Sequence, residues 1–373
     1  MRGCILRFLS VPILSAVLAS CTGSGERVRA SHFEAHDRRA KSDHTRDESR
    51  FWERFGPESP AALAVADNTV VAVGARGEVV EYQREPDEVR WSAHLELPSV
   101  SARPAISAST VLVTGGDEAV AVDRASGAVR WRVPVPGAGA ISYPGGDAGT
   151  FLVTSGGASL LALDEQSGSR RWSSDFDSSF SFGMAATSGT VLVLDGSTSG
   201  ARLRAFEGTT GTVRWARTLP PSDSIPAASE GRFVVAVGDS RGGSVLALDA
   251  SSGQPRWQVD VRGGIGPRGR PVVDARSVAL LDARGTLHLL DAADGRERWS
   301  KRVAESGTGT LRLSPSGVLL TEADGTLELD RRTGAESTEP VFMGALVDEA
   351  VLGDAIVRLV DVGGSSSVEL RPA

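Results

Sequence analysis

One phrase returns along this chain at a spacing near forty residues, and that spacing restricts the fold more than any other feature. Its fullest copy is Ala247-Leu248-Asp249 followed by Gly253 and Trp257, which reads Ala-x-Asp-x-x-x-Gly-x-x-x-Trp. Near-copies carry Asp123, Gly127 and Trp131, then Asp164, Gly168 and Trp172, then Glu207, Gly211 and Trp215, then Asp291, Gly295 and Trp299. Weaker copies run from Tyr82 through Asp87 to Trp91, without the glycine, and from Asp330 through Gly334 to Thr338, which stands in the tryptophan slot. Counting Trp52, successive tryptophans lie 39 to 43 residues apart. A period of this length marks a repeat architecture, so the 373 residues are expected to form one large closed domain rather than two or three.

Within the unit from Trp131 to Trp172 the apolar runs are short and β-rich, and Pro144-Gly145-Gly146 and Gly156-Gly157 punctuate them as turns. The unit from Trp215 to Trp257 repeats the plan, and no stretch of useful length has a helical period. Four strands per unit is the economical reading, which places the chain in the all-β class. A sheet of about forty residues cannot bury both faces alone, so it must stack on neighbours, and radial stacking into a β-propeller also protects the strand edges. Seven units run from one tryptophan slot to the next, and residues 339–373 offer three further strands without a final Arg-Trp strand. The missing strand is at the other end, where Ser49 to Trp52 has no partner strands of its own. The expectation is therefore an eight-bladed propeller of four-stranded antiparallel blades over residues 47–373, closed by the N-terminal strand.

The phrase has mechanical content. An Asp side chain accepts backbone N–H groups two residues on and starts a turn, a Gly supplies positive φ, and a Trp is a large plate whose ring N–H needs an acceptor. Trp52, Trp91, Trp131, Trp172, Trp215, Trp257 and Trp299 are thus read as blade-docking residues, with Asp123, Asp164, Asp249 and Asp291 and with Gly127, Gly168, Gly211, Gly253 and Gly295 shaping the turns. The residue before six of these tryptophans is Arg, namely Arg90, Arg130, Arg171, Arg214, Arg256 and Arg298. Strand alternation predicts that these side chains point to the opposite face and lie over the neighbouring blade.

The N-terminus reads differently. Arg2 and Arg7 precede an apolar run that ends in Leu18-Ala19-Ser20-Cys21, the layout of a secretory signal. Residues 1–20 are expected to be a lipoprotein signal peptide and Cys21 a lipidated anchor, because the last four residues resemble the bacterial lipobox. A run this short is below the roughly 20 residues of a permanent span. Residues 21–46 are polar, aperiodic and charged, which reads as a disordered tether. His32, His36 and His44 lie in this stretch, where a solvated linker is a better account than a metal site. Only Cys4 and Cys21 exist, so no disulfide staples the body. A formal charge of −7 with no basic stripe argues against nucleic acid as a partner.

The repeated phrase resembles the tryptophan-docking repeat of the pyrroloquinoline quinone propeller superfamily, over essentially everything from residue 47 onward. Within it, the lipobox, tether and eight-unit ring look like the BamB family of outer-membrane protein assembly lipoproteins. That resemblance implies a non-enzymatic, monomeric scaffold without cofactor or metal, held at a membrane by its lipid. Its implied partner is the barrel-forming component of the outer-membrane assembly machine. In that family the partner docks on an apolar-Ser-apolar-Arg-Gly pattern after the fourth Trp. Here Phe180-Ser181-Phe182-Gly183 follows Trp172, so Phe180 and Phe182 fit the apolar positions and the Arg is absent. An ordinary inward-facing pair at the start of a strand is the competing reading of these two residues. Thr22 after the anchor Cys, rather than Asp, leans toward the periplasmic face of the outer membrane if the organism has one.

Two other functions are compatible with the repeat. Quinoprotein dehydrogenases share it, but they are usually longer, and many carry adjacent cysteines beside the quinone and a Ca²⁺ site of carboxylates and amides. The body has no cysteine, and its one Asn is Asn68 in a turn. A surface ligand-binding or sensor propeller would use loops such as 137–146 or 263–270.

Overall fold

The computed structural model describes residues 50–372 apart from 55–59, 85–87, 101, 139–140, 143–148, 157–158, 177–181, 198–199, 223, 267–269, 306, 323–324, 337–344, 354 and 363–364. Cys21, Asp87, Phe180 and Thr338 lie outside the described residues, and of Trp52 and Phe182 the backbone alone is described. Every described element is a strand, and the strands form eight antiparallel sheets in chain order.

The second sheet shows the plan. Its strands are Ala105–Ile106, Thr110–Gly115, Glu118–Asp123 and Val129–Pro134, hydrogen-bonded in that order. The second strand is buried at all six positions, because it has a neighbouring sheet on each face and so reads as a continuous apolar run. The fourth strand lies at the outer edge, and little of it is buried besides Trp131. Seven sheets have four strands, while the seventh in chain order shows three, Thr310–Leu313, Gly317–Glu322 and Gly325–Asp330. Glu336 bridges to Leu329, the start of the missing fourth strand, and the following residues 337–344 lie outside the described set.

The apolar residues cluster between consecutive sheets rather than within one. Val71, Val73 and Val79 of the first sheet pack with Val111, Val113 and Val120 of the second, and Val234, Ala236 and Val245 of the fifth pack with Val278 and Leu280 of the sixth. Leu63, Val70 and Ala72 of the first sheet pack with Val357, Leu359 and Val368 of the eighth. That eighth sheet is built from both chain ends, in the order Arg50–Arg54, Ser365–Pro372, Ala355–Val362, Ala345–Leu352. Arg50 stands opposite Leu370 and Arg54 opposite Ser367.

Candidate functional site

The residues singled out by the repeat meet at the junctions between sheets. From Trp91 to Trp299, each tryptophan of one sheet reaches the turn of the next. The ring N–H of Trp91 donates to the carbonyl oxygen of Arg124 at 2.9 Å, that of Trp131 to Glu165 at 2.9 Å and that of Trp172 to Gly208 at 3.0 Å. Trp215 donates to Ala250 at 2.9 Å, Trp257 to Ala292 at 3.0 Å and Trp299 to Arg331 at 3.1 Å. In each case the acceptor directly follows the Asp of the next phrase or its counterpart Glu207. The ring also lies against the Gly of that phrase: a Cβ on Gly127, Gly168, Gly211, Gly253, Gly295 or Gly334 would fall within 2.5 to 2.9 Å of indole carbons. Glycine is therefore required twice over, by its positive φ and by the plate pressed on it. Burying one such ring contributes about 2–3 kcal/mol.

The aspartates divide their two oxygens. Oδ1 of Asp123 accepts the backbone N–H groups of Ala125 and Ser126 at 3.0 and 2.9 Å, and Oδ2 accepts Arg130 Nη2 at 2.5 Å. Asp164 repeats this with Gln166, Ser167 and Arg171, and Asp249 with Ser251, Ser252 and Arg256. Asp291 holds Ala293 N and Arg298 in the same way. Hydrogen bonds from Arg130 and then Ser126 hold the Asp123 carboxyl down at about 2. Burial pushes Asp164 up, but the bonds from Arg171 and Ser167 outweigh it and leave this carboxyl also at about 2. Arg256 and Ser251 lower Asp249, and Arg298 lowers Asp291.

This overturns the expected direction of the arginines. Arg130, Arg171, Arg214, Arg256 and Arg298 each pair with the acid of their own phrase, and toward the next sheet Arg130 adds a longer bond to Gln166 Oε1 at 3.4 Å. Arg90 pairs with Glu81 at 3.0 Å, since its phrase has Gln83 in the acid position. The physical reason is a β-bulge. Ala121 stands opposite Trp131 and Val122 opposite Val129, so Arg130 is the extra residue, and the same shift recurs at Arg90, Arg171, Arg214, Arg256 and Arg298. A bulge breaks strict alternation and re-aims the side chain.

A second contributor left no mark in the repeat. The residue after the acid reaches back across the junction wherever it is long and polar. Arg124 donates to Thr69 Oγ1 at 2.7 Å and to Glu81 Oε1 at 3.2 Å in the first sheet. Glu165 accepts from Ser107 and Ser109 of the second sheet at 2.5 and 2.8 Å, and Arg331 holds Asp274 of the sixth through both carboxylate oxygens. The slot is poorly constrained in sequence, with Gly208, Ala250 and Ala292 in other copies.

Asp348 performs a similar task at the inner strands. It is buried, sits just past a bulge at Val347, and its Oδ2 accepts Leu63 N at 3.0 Å from the first sheet. Its Oδ1 accepts Arg103 of the second sheet and, at 3.1 Å, Arg312 of the seventh. A recess of about 280 Å³ adjoins this carboxylate, lined by Ala61, Ala62, Val100, Ala102, Arg103 and Val347. Burial, the neighbouring Arg103 and Arg270 lower Arg312 to about 10, against the pull of Asp348.

The body lacks the adjacent cysteines that many quinoprotein dehydrogenases carry, and Asn68 sits in the tight turn between Pro60–Ala66 and Thr69–Gly74, where its backbone carbonyl accepts Arg84 N. Among the described residues no three His, Cys, Asp or Glu side chains group to hold a metal ion.

Known proteins frame this geometry. The structure of BamB from Moraxella catarrhalis superposes with a TM-score of 0.63 at 19% identity, covering 85% of this chain and 95% of that one. The quinohemoprotein alcohol dehydrogenase from Comamonas testosteroni superposes at 0.60 and 13% identity, covering 87% and 76%. At such identities the likeness is one of fold. The serine/threonine-protein kinase AfsK of Streptomyces griseus is 29% identical over 183 residues, 44% of this chain and 21% of that protein, so the chain spans about a fifth of that relative's length. The family model described as outer membrane protein assembly factor BamB matches residues 40–121, 116–264 and 241–337. The tryptophan junctions described above run from Trp91 to Arg331 within that span, and the chain belongs to the BamB family of β-propellers.

Proposed function

We propose that this propeller is a non-enzymatic scaffold that holds a protein partner near a membrane, with outer-membrane protein assembly as its setting. The observation that carries the reading is the use made of the repeated polar residues: the carboxylates of Asp123, Asp164, Asp249 and Asp291 are each saturated by a turn and an arginine, and so join strands rather than face a substrate. Membership of a family described as assembly factors supports it. Anchoring through a lipid on Cys21, a tether over 21–46 and a periplasmic position at the outer membrane belong to the same proposal. Phe180 and Phe182 are the proposed partner contact. The test is fractionation and affinity purification of tagged full-length protein. We expect it to sediment with membranes and to bring down a barrel-assembly component, and Cys21→Ala to release it to the soluble fraction. Clean isolation of membrane-bound protein without any partner would defeat the scaffold reading.

A second reading is favoured by the likeness to part of a serine/threonine-protein kinase. In it the propeller is a surface ligand-binding or sensor module. Specific retention of a small molecule by the purified domain, with no protein partner recovered, would select this reading. Saturable binding of pyrroloquinoline quinone by absorbance titration would instead support the dehydrogenase.

A further inference from the structure

The fifth sheet breaks the repeat at one buried position. The second strand of a sheet begins with Thr69, Thr110, Thr150, Thr190 or Ser277 in five of the units, and in the fifth sheet it begins with Arg232. At four of these positions the hydroxyl accepts the bulge arginine: Arg130, Arg171 and Arg214 donate to Thr110, Thr150 and Thr190 at 2.8 to 2.9 Å, and Arg298 to Ser277 at 3.3 Å. In the fifth sheet a second guanidinium stands in place of the acceptor.

Among the described residues, none takes the charge of Arg232. It is opposite Asp249 in the strand register, and side chains so opposed share one face of the sheet. Asp249 is already engaged: Oδ1 accepts the backbone and hydroxyl groups of Ser251 and Ser252, and Oδ2 accepts Arg256 at 2.7 Å. The next sheet offers no help, because the slot that holds Glu165 or Arg331 at other junctions holds Ala292 here. Arg232 is only 8% exposed, and its Nε and Nη1 are buried without a hydrogen-bond partner among the described residues. A buried, uncompensated charge is costly, and such charges are normally paired. Two cations, Arg232 and Arg256, thus face one carboxylate at the junction of the fifth and sixth sheets.

We propose that Arg232 is the anchor of a binding site for a small inorganic anion, of chloride to phosphate size, at this junction. The anion takes the two unsatisfied donors and supplies the negative charge that Ala292 does not. Since it binds the folded chain alone, it stabilises the domain by mass action.

The test is thermal unfolding of the full chain in gluconate buffer at constant ionic strength, titrated with chloride or with inorganic phosphate. For the native protein we expect a saturable rise in the midpoint with one of these anions. Arg232→Thr, which restores the residue type of the other units, should abolish that dependence. Anomalous scattering from crystals grown in bromide supplies a readout independent of stability, with a peak expected within hydrogen-bonding distance of Arg232. Equal anion dependence in native protein and variant, no dependence in either, or an empty map at Arg232 would overturn the proposal.

Discussion

The indole of Trp215 lies so close to Gly253 of the next sheet that a methyl group on that glycine would sit 2.5 Å from ring carbon Cδ2. Gly253 also has a φ of 68°. Gly253→Ala is therefore expected to incur both a left-handed backbone penalty of about 1–2 kcal/mol and an overpacking penalty of about 1–3 kcal/mol. Gly189 separates the two effects, since it has a φ of 70° but nothing within 4 Å of its added Cβ. Urea unfolding should show Gly189→Ala losing the backbone penalty alone. Equal losses in the two variants would refute ring contact as the second reason for glycine.

Trp257→Phe keeps an aromatic plate but removes the ring N–H that reaches Ala292 O at 3.0 Å. Leaving that carbonyl unsatisfied costs about 1–3 kcal/mol. Equilibrium unfolding measures it, and a neutral outcome would show that the hydrogen bond adds nothing beyond packing.

The lowered aspartates give the acid limb of stability a defined position. Asp123 and Asp164 are held at about 2 in the folded chain against 3.8 in the unfolded one, and Asp249 and Asp291 are lowered as well. A folded-state pKa below the unfolded value stabilises the protein above the unfolded pKa, and this contribution disappears as pH falls through the folded one. Stability should thus decline between about pH 4 and pH 2. Replacing Arg130 by Gln should shallow that limb; denaturant midpoints measured across this range would show it.

Asp348 ties the first, second and seventh sheets to the eighth. Asp348 is buried but Arg103 is 45% exposed, so Asp348→Ala is expected to cost less than a fully buried pair, about 1–3 kcal/mol for the donors it leaves unsatisfied. An effect below 1 kcal/mol, on the scale of an exposed pair, would show that solvent compensates Arg103 and Arg312.

Deleting residues 50–54 strips the edge partner from Ser365–Pro372. The truncated chain should melt at a lower temperature and expose an unpaired strand open to association. Differential scanning calorimetry with light scattering reports both effects, and an unchanged melting temperature would deny the pairing any role in stability.

The repeat was legible because its residues serve backbone geometry, which has the same demands in every unit: Asp123 and Gly127 shape a turn wherever they occur, and Trp131 needs one carbonyl and one bare glycine. The direction of the arginines is not legible in the residue pattern, because strict alternation fails at a bulge, a feature set by strand register. Arg124, Glu165 and Arg331 were missed for the opposite reason. Their slot accepts glycine and alanine as readily as a charge, so no period announces it, and only the partners Thr69, Ser107 and Asp274 across the junction give it meaning. Asp348 lies in the unit without a tryptophan phrase, where the repeat offers no frame to read it by.

The eighth sheet also sets an order of events. Arg50–Arg54 emerges from the ribosome more than three hundred residues before Ser365–Pro372, the strand it pairs with. The seven sheets between them have their own strands close in sequence and are free to form as they are made. Arg50–Arg54 must wait unpaired until Ser365–Pro372 has appeared, so this sheet is a checkpoint that no chain lacking the later strand passes.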